Sequence, residues 1–154
     1  MIDRPTTPQL VDVVRAELAG RIAPAIEDPA TRIALDMVLA ILKSVSVRSA
    51  HEIDWMKQEA EQILATGRGF VEAFGRPGPL TTAIAAFEDV PARGLGLAEV
   101  CREYELASEV LSACAELAYS QGTPVHREQI REHFDHRLRH EDTITGGYEA
   151  VGRT

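Results

Sequence analysis

Leu35, Val38, Leu42, Val45, Ser49, Ile53, Met56, Ala60 and Ile63 advance along the chain by threes and fours. Only a helix brings positions spaced like this onto one face. The seam therefore predicts one long helix, read here from Pro29 to Thr66 with Gly67 as its C-terminal stop, about 57 Å long if unbroken. Its first half, Ile33 to Leu42, is apolar nearly all round and is expected to be buried on more than one side. That makes this helix the central, most buried element. Its second half is amphipathic, with Lys57, Gln58, Glu59, Glu61 and Gln62 placed outside.

Three places carry the same start signal, a capping side chain followed by proline: Thr7-Pro8, Asp28-Pro29 and Thr123-Pro124. The side-chain oxygen satisfies an orphan N–H, and proline has none to satisfy. A first helix is read from Pro8 to Ala23, with Pro24 ending or kinking it. Another runs from Leu97 to Gln121 with two apolar stripes, and the last runs from Pro124 to between His140 and Asp142. Residues 67–96 hold six of the eleven glycines together with Pro77, Pro79 and Pro91. They also hold Phe70, Val71, Phe74, Leu80, Ile84 and Phe87, so they should fold back on the bundle, with a short helix over Thr81–Glu88. The fold class is all-α: an antiparallel helical bundle with one long central helix and a Gly/Pro-rich connection carrying a short helix. Residues 1–142 form a single domain and 143–154 a loosely ordered tail.

With 154 residues, 45% hydrophobic and 26% charged, the chain has ordinary globular usage and enough length for one apolar core. The formal net charge of −8 argues against nucleic acid and against anionic membrane surfaces. The N-terminus has no apolar run of the secretory kind, and Ile33–Leu42 is too short to span a bilayer. Cys101 and Cys114 fall on one helix about 20 Å apart, too far to pair, and read as small buried hydrophobes. The cytoplasm is the expected compartment. Fourteen arginines against two lysines and abundant alanine suggest a GC-rich bacterial genome.

Dinucleotide-binding and P-loop glycine patterns, a G-x-S-x-G elbow, Cys-x-x-Cys and Glu-x-x-His are all absent from the sequence. No catalytic residue, cofactor or cofactor-binding residue is assigned. Four of the five histidines, His126, His133, His136 and His140, share an arc of about 80° on the last helix. His136 and His140 are spaced i, i+4 and could share a metal, with His133 as a third ligand. Arg127, Arg131, Arg137 and Arg139 crowd the same helix and oppose a cation. A solvated face, paired locally with Glu128, Glu132, Asp135 and Glu141, is the competing reading. The apolar stripe Ile130, Phe134, Leu138 beside the arc is taken as the buried one. His51, Glu52 and Asp54 read as a surface ion-pair group, and Trp55, one residue off the seam, as a partly exposed contact with the connection or another subunit.

The stretch from Arg4 to Arg15, followed by the capped helix containing Arg32 to Leu42, resembles a small bacterial family of helical proteins. Its members have no assigned function and are typically encoded beside phosphotransferase-like and acyl-CoA dehydrogenase-like enzymes. The likeness covers about the first 65 residues, and no catalytic residue is carried over. It implies an accessory role beside such a pathway, with an enzyme as a partner. The expected function is therefore a helical accessory or interaction protein that is not itself an enzyme. The alternative is a metal- or small-ligand-binding bundle that uses the histidine face. The long helix presents more apolar length than its shorter neighbours cover, which predicts self-association, most simply as a homodimer.

Overall fold

The computed structural model describes residues 4–90 and 94–146. Five α-helices follow in order: α1 (Thr7–Glu17), α2 (Pro29–Phe74), α3 (Gly78–Glu88), α4 (Leu97–Ser120) and α5 (Pro124–Thr145). No strand occurs among the described residues, and the all-α reading holds. Pro91 and the tail from residue 147 lie outside the described residues.

Helix boundaries follow local chemistry. Thr6, one residue before the expected cap, precedes α1, and the Gln9 side chain accepts from its N–H at 2.9 Å. Beyond Glu17 the chain widens into a π turn over Leu18–Ile22 and then tightens into a 3-10 turn over Ala23–Ala25. Pro24 has no N–H to return to Gly20, so regular α pairing cannot continue through this point. Asp28 opens α2 as expected, accepting from the Thr31 N–H at 2.9 Å and from its hydroxyl at 2.6 Å. Those two bonds hold the Asp28 carboxyl below its ordinary range, the side-chain bond contributing more.

Gly67 does not stop α2. The helix continues to Phe74, making 46 residues and about 69 Å. It ends where Gly75 (φ 72°) and Arg76 (φ 60°) enter the left-handed region and the Arg76 N–H reaches back to the Val71 carbonyl at 3.0 Å. This is a glycine-closed C-terminus of the Schellman kind. The turn leads into α3, which starts at Gly78, three residues before the sequence reading placed it, with Pro79 in its first turn. α5 likewise runs three residues past its expected end, so residues 143–145 are helical and Ile144 is buried.

The chain divides into two compact units, residues 53–137 and the residues on either side of them. The first is an up-down-up-down bundle of the end of α2, α3, α4 and the start of α5. α3 runs back along α2, with Arg68 bonded to Glu88 at 2.7 Å. α4 returns in the direction of α2, and α5 opposes both, which the contacts at Glu59 and Thr66 described below establish. Its core is Ala60, Ile63, Leu64 and Phe70 of α2, Leu80, Ile84 and Phe87 of α3, Leu106, Ala107, Val110, Leu111, Cys114 and Ala118 of α4, and Ile130 of α5. Cys114 belongs to this core, and burial pushes its thiol up to about 12. Cys101 is half-buried on the same helix.

The second unit differs from expectation. Ile33, Met37, Val38 and Ile41 are exposed and Leu42 only half-buried, leaving Leu35 as the buried side chain of the Ile33–Leu42 stretch. The most buried part of α2 is its amphipathic second half, because that half meets three helices at once.

Two glycines near the middle of this packed half behave oppositely. A Cβ on Gly67 would stand 2.7 Å from Val110 Cγ1, whereas one on Gly69 would meet nothing within 4 Å. Val110 is fully buried and β-branched, so it cannot step aside. Gly67→Ala is therefore expected to destabilise by about 1–3 kcal/mol through overpacking, less about 1 kcal/mol of helix propensity regained. Gly69→Ala is expected to stabilise by up to about 1 kcal/mol. Urea melts of the two variants check the opposite signs.

Candidate functional site

Glu59 stands one residue from the seam, and the sequence reading placed it outside. The structure buries it to 2% exposure. α2 packs here against both α4 and α5, so the arc removed from water is wider than a one-partner seam. Tyr104 of α4 donates its hydroxyl to Glu59 Oε2 at 3.0 Å, and Arg137 of α5 donates Nε–H to Oε1. Arg137 also donates through Nη2 to Ser108 Oγ at 3.0 Å, and its guanidinium lies 5.1 Å from the Tyr104 ring centroid. Ser108 in turn donates to the Tyr104 carbonyl at 2.9 Å. Two residues earlier on α2, Lys57 meets the buried Glu103 carboxylate at 3.0 Å.

Both oxygens of Glu59 are thus occupied by donors, so the carboxylate serves as an anchor and not as a free base. Burial, then the neighbouring Glu59 charge, raises the Tyr104 phenol to about 12, opposed by Arg137. The phenol remains a donor at every physiological pH.

The histidines do not form a solvated face. His133 is buried, and its Nε2 lies 2.9 Å from Thr66 Oγ1 of α2. His126 packs its ring against Phe70 and Phe74, at centroid distances of 5.2 and 4.9 Å. Its Nδ1 accepts from the Thr123 N–H at 3.2 Å. The inward row of α5 in this unit is therefore His126, Ile130, His133 and Arg137. Phe134 and Leu138, expected inside, are exposed. Of the proposed ligands His133, His136 and His140, His133 is committed to Thr66. His136 has a ligand atom within 4.8 Å of one on Glu59. His140 falls in the other unit. A dication between Glu59 and His136 would contend with Arg137 on the same carboxylate. Of the surface group read around His51, Glu52 pairs with Arg48 at 2.6 Å, and Asp54 accepts from Gln58 at 2.8 Å.

Comparison with protein-family models, with curated proteins and with solved structures finds no match. No helix of the described residues is long and apolar enough to cross a membrane.

Two outcomes follow from this geometry. Removing one partner of a buried ion pair strands the other, so Arg137→Gln is expected to cost about 3 kcal/mol. Tyr104→Phe, which removes one bond to a charged acceptor, should cost roughly 1.5–3 kcal/mol. Denaturant unfolding of both variants measures the difference.

The second outcome concerns pH. Burial is the largest influence on His133 and holds its imidazole below the ordinary 6.5; Glu59 opposes this, Arg137 reinforces it, Glu132 opposes it and His136 reinforces it. Below 6.5 the unfolded chain takes a proton that the native ring still refuses, so unfolding becomes easier as pH falls. The His133 contribution is complete above pH 6.5 and declines as pH falls from there toward the lowered native value. His133→Gln should flatten that decline in unfolding free energies measured between pH 7 and 5.

Proposed function

We propose that this chain is a protein-interaction module that self-associates through the first half of α2. One observation carries the reading. Ala30, Ile33, Ala34, Met37, Val38, Ile41 and Val45 all lie on the exposed side of α2, within an arc of about 140° that contains no charged side chain from Ala30 to Val45. Ile33, Met37 and Ile41 are each at least 60% exposed.

The rest of this unit supports the same reading. α1 has no buried residue. The described residues of the unit bury only Ala23, Leu35, Ser46 and Ile144, while Leu10, Val13, Val14 and Ile22 of the same unit are exposed. An exposed apolar helix face of this kind marks a protein contact.

A second copy of the chain is the partner this surface fits. Ala34, Val38, Ile41 and Val45 are spaced by four, three and four, the spacing of a coiled-coil seam. The flank of the arc carries both signs, Arg32 and Lys43 beside Asp36, so no block of like charge opposes self-pairing. A closed two-fold pair is the simplest arrangement for one patch meeting itself.

Sedimentation equilibrium at tens of micromolar should give about twice the 16.9 kDa chain mass. The double substitution Met37→Glu and Ile41→Glu should return it to the single-chain mass with helicity retained, because both positions are exposed within the chain. A single-chain mass for the unmodified protein would sink the proposal.

A further inference from the structure

The cleft between α2 and α5 in residues 53–137 has an origin that packing does not explain. It is a recess of about 390 Å³ lined by Ala65, Thr66, Gly69, Phe70, His126 and Gln129, with Val125 at its rim. Glycine within a helix costs about 1 kcal/mol relative to alanine. At Gly67 that cost has a reason, since a side chain there would strike Val110. At Gly69 it has none, because a Cβ would meet nothing within 4 Å. Gly69 lines the recess, and a side chain there would project into open space.

The lining is chemically selective. It contains no Lys, Arg, Asp or Glu, so a charge placed there would lose water without gaining a counter-charge. Ala65, Gly69 and Val125 supply its apolar part and Thr66, His126 and Gln129 its polar part, in about equal measure, with Phe70 itself almost fully buried beneath them. The donor set can be read from the hydrogen bonds. His126 Nδ1 accepts from the Thr123 backbone N–H, so the neutral ring carries its proton on Nε2. That N–H and the Gln129 amide are the donors the lining offers. Thr66 links the recess to the interior, because its hydroxyl is the partner of buried His133.

We infer that this cleft is a binding site for a small uncharged molecule with a flat apolar body and a carbonyl-type acceptor, such as an aromatic amide. The body lies over Ala65 and Gly69 beside Val125, and the acceptor meets His126 and Gln129. Occupancy is felt at His133 through the Thr66 hydroxyl. The site is independent of the self-association surface.

The test is a titration of the isotope-labelled full chain with benzamide, followed by amide and histidine-ring NMR, with benzoate as the charged probe of the same shape. Benzamide at millimolar concentration should give saturable shifts at Thr66, Gly69 and Gln129 and a shift of the His133 ring nitrogens. Benzoate should bind at least about tenfold more weakly, given the cost of an uncompensated charge. Gly69→Leu should fill the cleft and abolish the benzamide shifts while the melting temperature holds or rises. The proposal is overturned by absence of saturable shifts at these residues, by benzoate binding as well as benzamide, or by benzamide shifts that survive in Gly69→Leu.

Discussion

Burying a carboxylate obliges its surroundings to be organised, and Glu59 imposes that on three helices. An ionised group out of water must have its oxygens satisfied with good geometry, or it costs several kcal/mol. Tyr104 satisfies one oxygen from α4 and Arg137 the other from α5. Each donor is itself fixed, Arg137 by Ser108 and by the face of the Tyr104 ring. Apolar packing alone would tolerate a slip of one helix past another. This network does not, since a one-residue shift of α4 or α5 carries its donor out of reach. Lys57 and Glu103, two residues and one residue before Glu59 and Tyr104, repeat the constraint. The bundle of residues 53–137 has its register set by these contacts and its stability by the apolar layers that follow them.

Legibility in the sequence tracked how local the determining chemistry is. The long periodic seam and the cap-proline pairs depend on neighbours three or four residues away, and they placed the starts of α1, α2 and α5 to within one residue. Boundaries failed where a glycine had two physical uses. Gly67 was read as a stop, but it is the point of closest approach to Val110; the true stop is the positive-φ pair Gly75 and Arg76. Nothing in the string distinguishes these roles, because the difference lies in a side chain more than forty residues away.

The buried polar residues were invisible for a related reason. Glu59 and Thr66, Tyr104 and Ser108, and Arg137 lie on three separate helices and match no motif. The histidine arc was seen, but its orientation was inverted. Periodicity assigns the inside of a helix to its apolar row, and α5 turns His126, Ile130, His133 and Arg137 inward because its neighbours there present Phe70 and Phe74, Thr66 and Glu59. The one available signal was that these four positions follow one another by four, three and four, the spacing of a helix seam.

The separation of the polar network from the apolar layers along the 53–137 bundle has a consequence for how it breathes. The layers around Phe70, Phe87, Leu80, Leu111 and Ile130 exclude water almost completely. Lys57, Tyr104 and Arg137, at the opposite end of the same helices, keep part of their surface wet. Water that reaches the ion pairs compensates the charges it separates, whereas water in the apolar layers gains nothing. Amide protons near the Phe70–Ile130 end should therefore exchange only through whole-unit opening. Those near residues 57 and 104 have a sub-global route, so the bundle is cooperative in its interior and graded toward its charged end.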